Sequence, residues 1–136
     1  MIPVKGEKLY IASSSENMRH VERLVEDVCE TFRVNEDNYG NILIAVTEAV
    51  NNAIYHGNHG NPDKKVEIRF ESSEHNIQFS VTDEGIGFDY HNLPDPTDPQ
   101  NIDKPHGRGV FLMKNLADKV EFINNGQEVL LTFNLN

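Results

Sequence analysis

The chain has 136 residues, of which 38% are hydrophobic and 25% charged, and its formal net charge is −10. These values fit a single soluble globular domain, residues 1–136, with one hydrophobic core. Because nucleic acids and anionic membranes attract basic proteins, the acidic balance disfavours both as partners. No apolar run approaches the ~20 residues of a membrane helix. The N-terminal segment lacks the apolar centre of a signal peptide, so the cytoplasm is the default location.

The first part of the chain predicts a strand followed by two helices. Apolar residues at 9–11 indicate a short strand, and apolar side chains then recur at helical spacing from Ser15 to Phe32. The serines at the start of this helix offer an N-cap. A second helix is expected to begin near Asn35, with two acidic residues in its first turn, and to end near Gly57. A loop rich in glycine and asparagine follows.

The hydrophobic period then changes from helical to alternating, which predicts a β-hairpin. Residues 66–70 and 77–81 alternate between apolar and polar side chains, and a polar stretch joins them. The strand pattern ends after Asp83, where two glycines follow. The segment at about 88–106 has no clear period and contains four of the six prolines. A loop this long in a small domain is usually functional or disordered, so we predict a lid.

The last part of the chain predicts one more helix and a second hairpin. An ordered helix is expected to resume after Gly107, with apolar residues on one face. The turn Asn124-Asn125-Gly126 separates two alternating strands, which is a strong hairpin signal. The elements together predict an α+β fold, a two-layer sandwich of helices packed on one face of a mostly antiparallel sheet.

The second helix carries the first group that could do chemistry. Glu48 and Asn52 are four residues apart, so they share one face of the helix, with Asn52 at the edge of the apolar stripe. An amide oxygen can hold a hard cation such as Mg²⁺. A neighbouring carboxylate can orient or deprotonate an attacking hydroxyl. Taken alone, such a pair is more often a solvated polar face.

The second group is Asp83-Glu84-Gly85-Ile86-Gly87-Phe88, which directly follows a strand. A carboxylate at this place can accept a hydrogen bond from the amino group of adenine. The glycines let the backbone approach a ligand closely. The segment lacks the third glycine and the following helix of a dinucleotide-binding fingerprint. Taken alone, it also fits a turn that ends a strand.

The third group is His106-Gly107-Arg108-Gly109, two glycines that open a helix. Free amide groups and the positive end of the helix dipole favour a phosphate there, and Arg108 could add charge. Taken alone, it also fits a flexible loop end. In this order the three groups predict a nucleotide pocket, and the proline-rich lid could close over the phosphates and exclude water.

Three segments resemble the N, G1 and G2 boxes of the GHKL ATPases, a superfamily that includes gyrase, Hsp-type chaperones and histidine kinases. They are Glu48–Ala53 with His56–Gly57, Asp83–Phe88 and Gly107–Leu112. The short chain is most similar to the bacterial anti-sigma factor serine/threonine kinases, over nearly its whole length. The resemblance implies the Bergerat-type sandwich fold.

The same resemblance implies ATP and Mg²⁺ as cofactors and assigns roles to individual residues. Glu48 would be the general base, Asn52 the Mg²⁺ ligand and Asp83 the group that holds adenine. Four glycines would shape the pocket and the lid: Gly85, Gly87, Gly107 and Gly109.

This chain departs from the resemblance at one place. Similar kinases often carry a basic residue immediately before the G2 glycines, where it touches the terminal phosphate. Here Lys104 precedes Gly107 by three residues. Lys104, His106 or Arg108 could take over this contact. Phosphoryl transfer depends strongly on charge stabilisation, so the departure bears on kinase activity more than on ATP binding.

The resemblance also implies partners. The kinase would bind a sigma factor and phosphorylate a serine or threonine on a small antagonist protein, and a homodimer is possible. The alternative is a regulatory binding module that holds ATP and sequesters a partner without kinase activity. A third reading, a metal-binding protein that uses His56 and His59, lacks the regularly spaced ligands of a structural zinc site.

Overall fold

The computed structural model describes residues 7–85, 105–124 and 126–135. Within these ranges, five strands and three α-helices form a two-layer α+β sandwich, which confirms the predicted fold class. In chain order the elements are β1 (Glu7–Ala12), α1 (Met18–Thr31), α2 (Glu36–Asn52), β2 (Lys65–Ser72), β3 (Asn76–Thr82), α3 (Pro105–Leu116), β4 (Lys119–Ile123) and β5 (Glu128–Asn134).

The sheet runs in the order β1-β2-β3-β5-β4, and every neighbouring pair is antiparallel. The alternating pattern forms these strands because successive side chains point to opposite faces. β3 is the central strand, and its last residue, Thr82, pairs with Glu67 on one side and Glu128 on the other. Asp83 therefore leaves the sheet from its middle strand, flanked by strands on both sides.

The core lies between the sheet and the helices. Four phenylalanine rings contact one another in series, with centroid distances of 5.8 Å for Phe32–Phe70, 5.4 Å for Phe70–Phe79 and 6.4 Å for Phe79–Phe133. Tilted and edge-on pairs of this kind add about 0.5–1.5 kcal/mol each beyond the area that they bury. Phe32 lies at the C-terminal end of α1, and the other three rings lie on β2, β3 and β5. The series of contacts therefore holds the first helix against the sheet.

The face of the sheet away from the helices is mostly polar, although Tyr10, Ile123 and Leu130 also lie on it. Arg69 there forms ion pairs with Glu128 at 3.0 Å and with Glu67 at 3.3 Å. Partly exposed pairs of this kind contribute little to stability, about 0–1 kcal/mol. In the described part of the chain, none of the helices combines the length and the apolar character needed to cross a membrane.

The first helical segment lies where the sequence predicts it, but its first three residues are not α-helical. A 3₁₀ turn, Ser15–Asn17, precedes α1, and Ser14 occupies its N-cap position without making a side-chain cap hydrogen bond. The predicted serine cap is therefore wrong in this detail. The buried Ser13 hydroxyl instead donates to the carbonyl of Lys64 at 2.7 Å, which fastens the end of β1 to the start of β2.

The second helix begins and ends where the sequence predicts. The side chain of Asn35 caps it by accepting a hydrogen bond from the amide of Asn38 at 2.8 Å. The regular α-helix stops at Asn52, and a π-helical turn, Ala53–Gly57, continues the chain to the predicted end. Such turns are frequent at functional sites because they displace side chains from the helical repeat.

The third helix begins three residues earlier than predicted. α3 starts at Pro105, so Gly107 and Gly109 lie within its first turns and do not precede it. Proline suits a first helical position because its φ is already helical and its missing N–H needs no partner there. In an α-helix the amide of the fifth residue bonds back to the first carbonyl. Gly109 is the fifth residue of α3, so its amide bonds to the carbonyl of Pro105. Gly107 is the third residue, and its amide has no partner within the helix.

Candidate functional site

A cleft opens where α2 ends, beside the end of β3, α3 and the turn between β4 and β5. Its volume is about 400 Å³, counting the space open to solvent. Most of its lining is apolar with a few polar groups, which is the usual composition of a small-ligand pocket. The lining residues are Ala49, Asn52, Ala53, His56, Gly57, Val81, Asp83, Met113, Phe122, Gly126, Gln127 and Val129.

Asp83 is the acidic group of the cleft, and backbone hydrogen bonds fix its position. Its amide donates to the carbonyl of Gln127 at 3.0 Å, which extends the pairing of β3 with β5 by one residue. Its carboxylate Oδ1 accepts from the amide of Gly85 at 2.8 Å. The carboxylate is therefore anchored through one oxygen at the end of the central strand.

Burial raises the pKa of Asp83, while the hydrogen bond from Gly85 and the positive charge of Lys64 lower it by less. Removal of water disfavours the charged form, and the net effect here is a raised pKa. A group whose folded-state pKa lies above its unfolded value contributes stability below the unfolded pKa, and this contribution is lost as the pH rises through the folded pKa. Above that pH, any additional hydrogen-bond donor that enters the cleft would stabilise the ionised carboxylate.

Gly57 makes room for this carboxylate. A Cβ atom at Gly57 would overlap the carboxyl group of Asp83, and one at Gly85 would overlap the carbonyl of Gly57. The end of α2 and the turn after β3 can approach this closely only because both positions are glycine. The resemblance assigns a role to Gly85 but none to Gly57, although Gly57 belongs to the first matching segment.

Asn52 lines the cleft one turn before His56. Its side-chain nitrogen Nδ2 is buried, and it has no hydrogen-bond partner among the described residues. Buried polar atoms are nearly always paired, so an unpaired amide in a cleft is a place where a polar ligand would contribute the missing contact. The side chain therefore fits a role in ligand binding.

His56 is the second titratable group of the cleft. Burial lowers its pKa, and the neighbouring His59 lowers it further. The imidazole is therefore mostly neutral at neutral pH. Within the described residues, no group of three or more histidine, cysteine, aspartate or glutamate side chains is arranged to hold a metal ion.

Glu48 is half-buried on α2, one helical turn before Asn52. In the described part of the chain, Asn52 lines the cleft and Glu48 does not. The carboxylate of Glu48 therefore lies outside the apolar part of the pocket. The structure thus brings Asn52 of α2 together with Asp83 of the turn after β3, which also contains Gly85, and places Glu48 one turn before Asn52 on the helix.

The remaining predicted site residues lie at or beyond the limits of the described structure. Gly87, Lys104 and most of the lid predicted at 88–106 lie outside the described residues. The backbone of Arg108 belongs to α3, and the description does not extend to its side chain. Their proposed roles, which are pocket shaping for Gly87, phosphate contact for Lys104 and Arg108, and closure for the lid, therefore stay predictions.

Gln127 is a cleft residue that the sequence analysis did not find. Its carbonyl accepts from Asp83, and its side-chain amide donates to the carbonyl of Gly85. Gln127 thus binds the turn after β3 at its first residue, Asp83, and again at Gly85. No local sequence signal marks it, because its position depends on β5 lying beside β3.

The fold and the cleft define a class of protein, a two-layer α+β domain with an acid-bearing cleft at the end of its central strand. A family model described as the histidine kinase-like ATPase domain matches residues 11–133. The chain belongs to this family.

Similar proteins from two bacteria are both named anti-sigma F factor. The anti-sigma F factor of Oceanobacillus iheyensis is 30% identical over 135 residues, which are 94% of this chain and 91% of that protein. The anti-sigma F factor of Bacillus cytotoxicus is 39% identical over 88 residues, but the match spans only 62% of this chain and 59% of that relative's length. The chain is therefore a homologue of the anti-sigma F factors.

A solved structure supports the fold assignment. The crystal structure of the RsbU and RsbW domains of a Mycobacterium tuberculosis protein superposes with a TM-score of 0.61 over 97% of this chain and 32% of that chain. The sequence identity is 15%, so this similarity supports the fold and no finer property.

Proposed function

We propose that this chain binds ATP with Mg²⁺ in the cleft and phosphorylates a serine or threonine of a small antagonist protein. In this role it is an anti-sigma regulatory factor of a partner-switching pathway. The observation that carries the proposal is the half-buried Asp83 carboxylate, held at the end of the central strand with apolar walls around it. The membership of the histidine kinase-like ATPase family supports the same ligand.

The apolar part of the cleft suits a flat heteroaromatic base. Val81, Met113 and Val129 offer surfaces for the faces of the ring, and Asp83 accepts from an amino group at its edge. In the orientation that places the 6-amino group of adenine against Asp83, guanine and hypoxanthine would place a carbonyl oxygen against the carboxylate. Adenine is therefore the base that fits this acceptor in that orientation.

The residues on the α2 side of the cleft fit the phosphate end of the nucleotide. Asn52 would hold Mg²⁺ through its side-chain oxygen, since amide oxygens are suitable ligands for hard cations. Its unpaired Nδ2 is a donor and would contact a phosphate oxygen of the nucleotide. Mg²⁺ bound with ATP would neutralise part of the phosphate charge. The free amide of Gly107 in the first turn of α3 would bind a phosphate oxygen, aided by the helix dipole.

Glu48 is the proposed general base. It lies one turn before Asn52 and outside the apolar wall of the cleft, and it is partly exposed to solvent. A carboxylate at this place would accept the proton of the serine or threonine as its oxygen attacks the terminal phosphate. The proton then resides on Glu48 and is returned to solvent.

The names of the relatives support the proposed partners. Proteins similar to this chain are named anti-sigma F factors, and we propose a sigma factor as the protein that this chain holds. We propose that it acts in the cytoplasm, and that a homodimer is its working form. The second candidate, an ATP-bound module that sequesters a partner without phosphoryl transfer, is favoured by the position directly before Gly107, where His106 stands and Lys104 is three residues away from the glycine.

The substitution Glu48→Gln separates the two functions. We expect the variant to bind ATP within about twofold of the wild type, since Glu48 lies outside the apolar cleft wall. Phosphoryl transfer should fall by about 10²–10⁴-fold, the usual contribution of a general base. The measurement is label transfer from γ-labelled ATP to small antagonist-type proteins encoded beside this gene, with ATP affinity measured by calorimetry on the same samples.

Glu74→Gln is the matched control, because it makes the same charge change on an exposed side chain between β2 and β3. It should leave both binding and transfer unchanged. Equal transfer by the wild type and Glu48→Gln would remove Glu48 from the reaction. Binding of ATP without transfer by the wild type to any of these proteins would favour the sequestering module.

A further inference from the structure

Asn58 is a buried polar residue to which neither the sequence analysis nor the proposed reaction gives a role. It follows the π-helical turn after α2, and its side chain is only 1% exposed. Burial of an amide without partners is costly. An asparagine in this position needs a specific set of hydrogen bonds, and the described structure provides one.

The side-chain amide of Asn58 connects three segments. Its Nδ2 donates to the hydroxyl of Ser13 at 2.8 Å and to the carbonyl of Lys65 at 3.0 Å, at the ends of β1 and β2. Its Oδ1 accepts from the amide of Glu84 at 2.8 Å, in the turn after β3. Both amide hydrogens and the carbonyl oxygen are therefore used.

The bond to Glu84 matters most for the cleft. Glu84 lies between Asp83 and Gly85, so holding its amide fixes the turn that presents the Asp83 carboxylate. The carboxylate of Glu84 also accepts from the backbone amide of Lys65, which ties the same turn to the start of β2. The Asn58 bond joins this turn directly to the segment after α2.

Asn58 thus joins the two sides of the cleft. The α2 side carries Asn52 and Gly57, and the strand side carries Asp83, whose carboxyl group packs against Gly57. A small shift between the two sides would move the acceptor of the base relative to the residue proposed for the metal. Hydrogen bonds in a buried network are strong constraints, because any displacement leaves buried groups unpaired.

We infer that Asn58 is a positioning residue that sets the place of Asp83 relative to α2, and so determines the preference of the site for adenine. This inference rests on the proposed function, because it assigns the base contact to Asp83. Asn58 itself is buried behind the cleft wall and acts through the amide of Glu84.

The first test uses the wild-type protein and needs no nucleotide. Glu84 is exposed and lies outside the strands, so its amide should exchange quickly with solvent unless Asn58 protects it. We expect slow exchange of this amide by NMR, comparable with amides inside β3. Fast exchange in the folded wild type would overturn the inference.

The second test compares ATP with inosine triphosphate, whose base carries a carbonyl oxygen in place of the amino group. We expect the wild type to prefer ATP by about tenfold or more, the effect of one hydrogen bond to a charged group. In Asn58→Ala the preference should fall below about threefold, together with fast exchange at Glu84. Retention of the full preference by this variant would overturn the inference.

Ser13→Ala is the matched control, since it removes a partner of Asn58 at β1 and leaves the bond to Glu84 in place. It should lower the unfolding temperature but keep the wild-type preference for ATP. An equal loss of preference in Ser13→Ala would show that general destabilisation is the cause, and this would also overturn the inference. Affinities are measured by calorimetry on samples shown to be folded by NMR.

The outcomes separate this inference from the proposed function. If the wild type binds neither nucleotide, the proposed function and the preference for adenine both fail. The exchange of the Glu84 amide in the wild type and in Asn58→Ala still decides whether Asn58 holds the turn.

Discussion

Replacement of Asp83 by asparagine is expected to weaken ATP binding by about 10- to 100-fold, the effect of losing one hydrogen bond to a charged group. An asparagine has the same shape and keeps an oxygen that can accept from Gly85. It loses the charge and half of the acceptor capacity, and its NH₂ group would face the amino group of adenine if the oxygen stays on Gly85. The measurement is the dissociation constant of ATP by calorimetry for the wild type and Asp83→Asn.

The same variant should be at least as stable as the wild type without ligand. Because burial raises the pKa of Asp83, the ionised form costs folding stability at pH values above the raised pKa. The uncharged amide removes that cost, so the free energy of unfolding should stay equal or rise. This combination distinguishes loss of a binding group from loss of the fold.

Asp118→Asn is the control for the charge change. Asp118 also accepts a hydrogen bond from a backbone amide, that of Asn134 at 2.7 Å, but it is exposed and lies outside the cleft lining. We expect unchanged ATP affinity for this variant. An unchanged affinity for Asp83→Asn would instead remove Asp83 from the binding site.

Replacement of Gly57 by alanine is expected to disrupt the cleft by a purely steric effect. The new Cβ would overlap the Asp83 carboxyl group, so the end of α2 or the turn after β3 must shift. Gly57 is not among the described residues with a positive φ, so the alanine itself fits the local backbone. Overpacking of this kind costs about 1–3 kcal/mol. We expect a lower unfolding temperature together with ATP affinity reduced by about tenfold or more.

Gly40→Ala provides a control with the opposite expected sign. Gly40 lies within the same α2, and a Cβ added there would meet no atom within 4 Å. Alanine in a helix interior is favoured over glycine by about 0.5–1 kcal/mol, so this variant should be more stable. Its ATP affinity should equal that of the wild type. Wild-type affinity in Gly57→Ala would contradict the close approach of Gly57 and Asp83.

The sequence predicted the elements because each has a local signal. The helical period from Ser15 to Phe32 and the alternation in residues 66–70 and 77–81 fix which side chains face the core. The cap at Asn35 and the turn at Asn124-Asn125-Gly126 fix where elements begin or end. These signals need only neighbouring residues, so they are visible before the chain folds.

The site was predicted only in part, for the same physical reason. Asp83 and Asn52 belong to recognisable segments, and the structure places both in one cleft. Gln127 and Asn58 act through contacts with residues that are far away in the chain, so no local pattern marks them. The order of the sheet, with β5 between β3 and β4, is likewise a long-range property.

The start of α3 shows how local signals can also conflict. The glycine pair at 107 and 109 was predicted to open the helix, which was expected to begin after Gly107. Proline is favoured at the first helical position, and the helix begins at Pro105. The fixed φ of proline therefore marked the boundary better than the two glycines.

Titration of the purified wild-type protein with ATP by calorimetry, with and without Mg²⁺, tests most directly whether the cleft is a nucleotide site. We expect one molecule of ATP per chain, with affinity increased by Mg²⁺ and competition by ADP. Absence of any ATP binding by the folded protein at millimolar concentrations would contradict the proposed site and the proposed kinase together. The fold would then serve as a protein-binding scaffold.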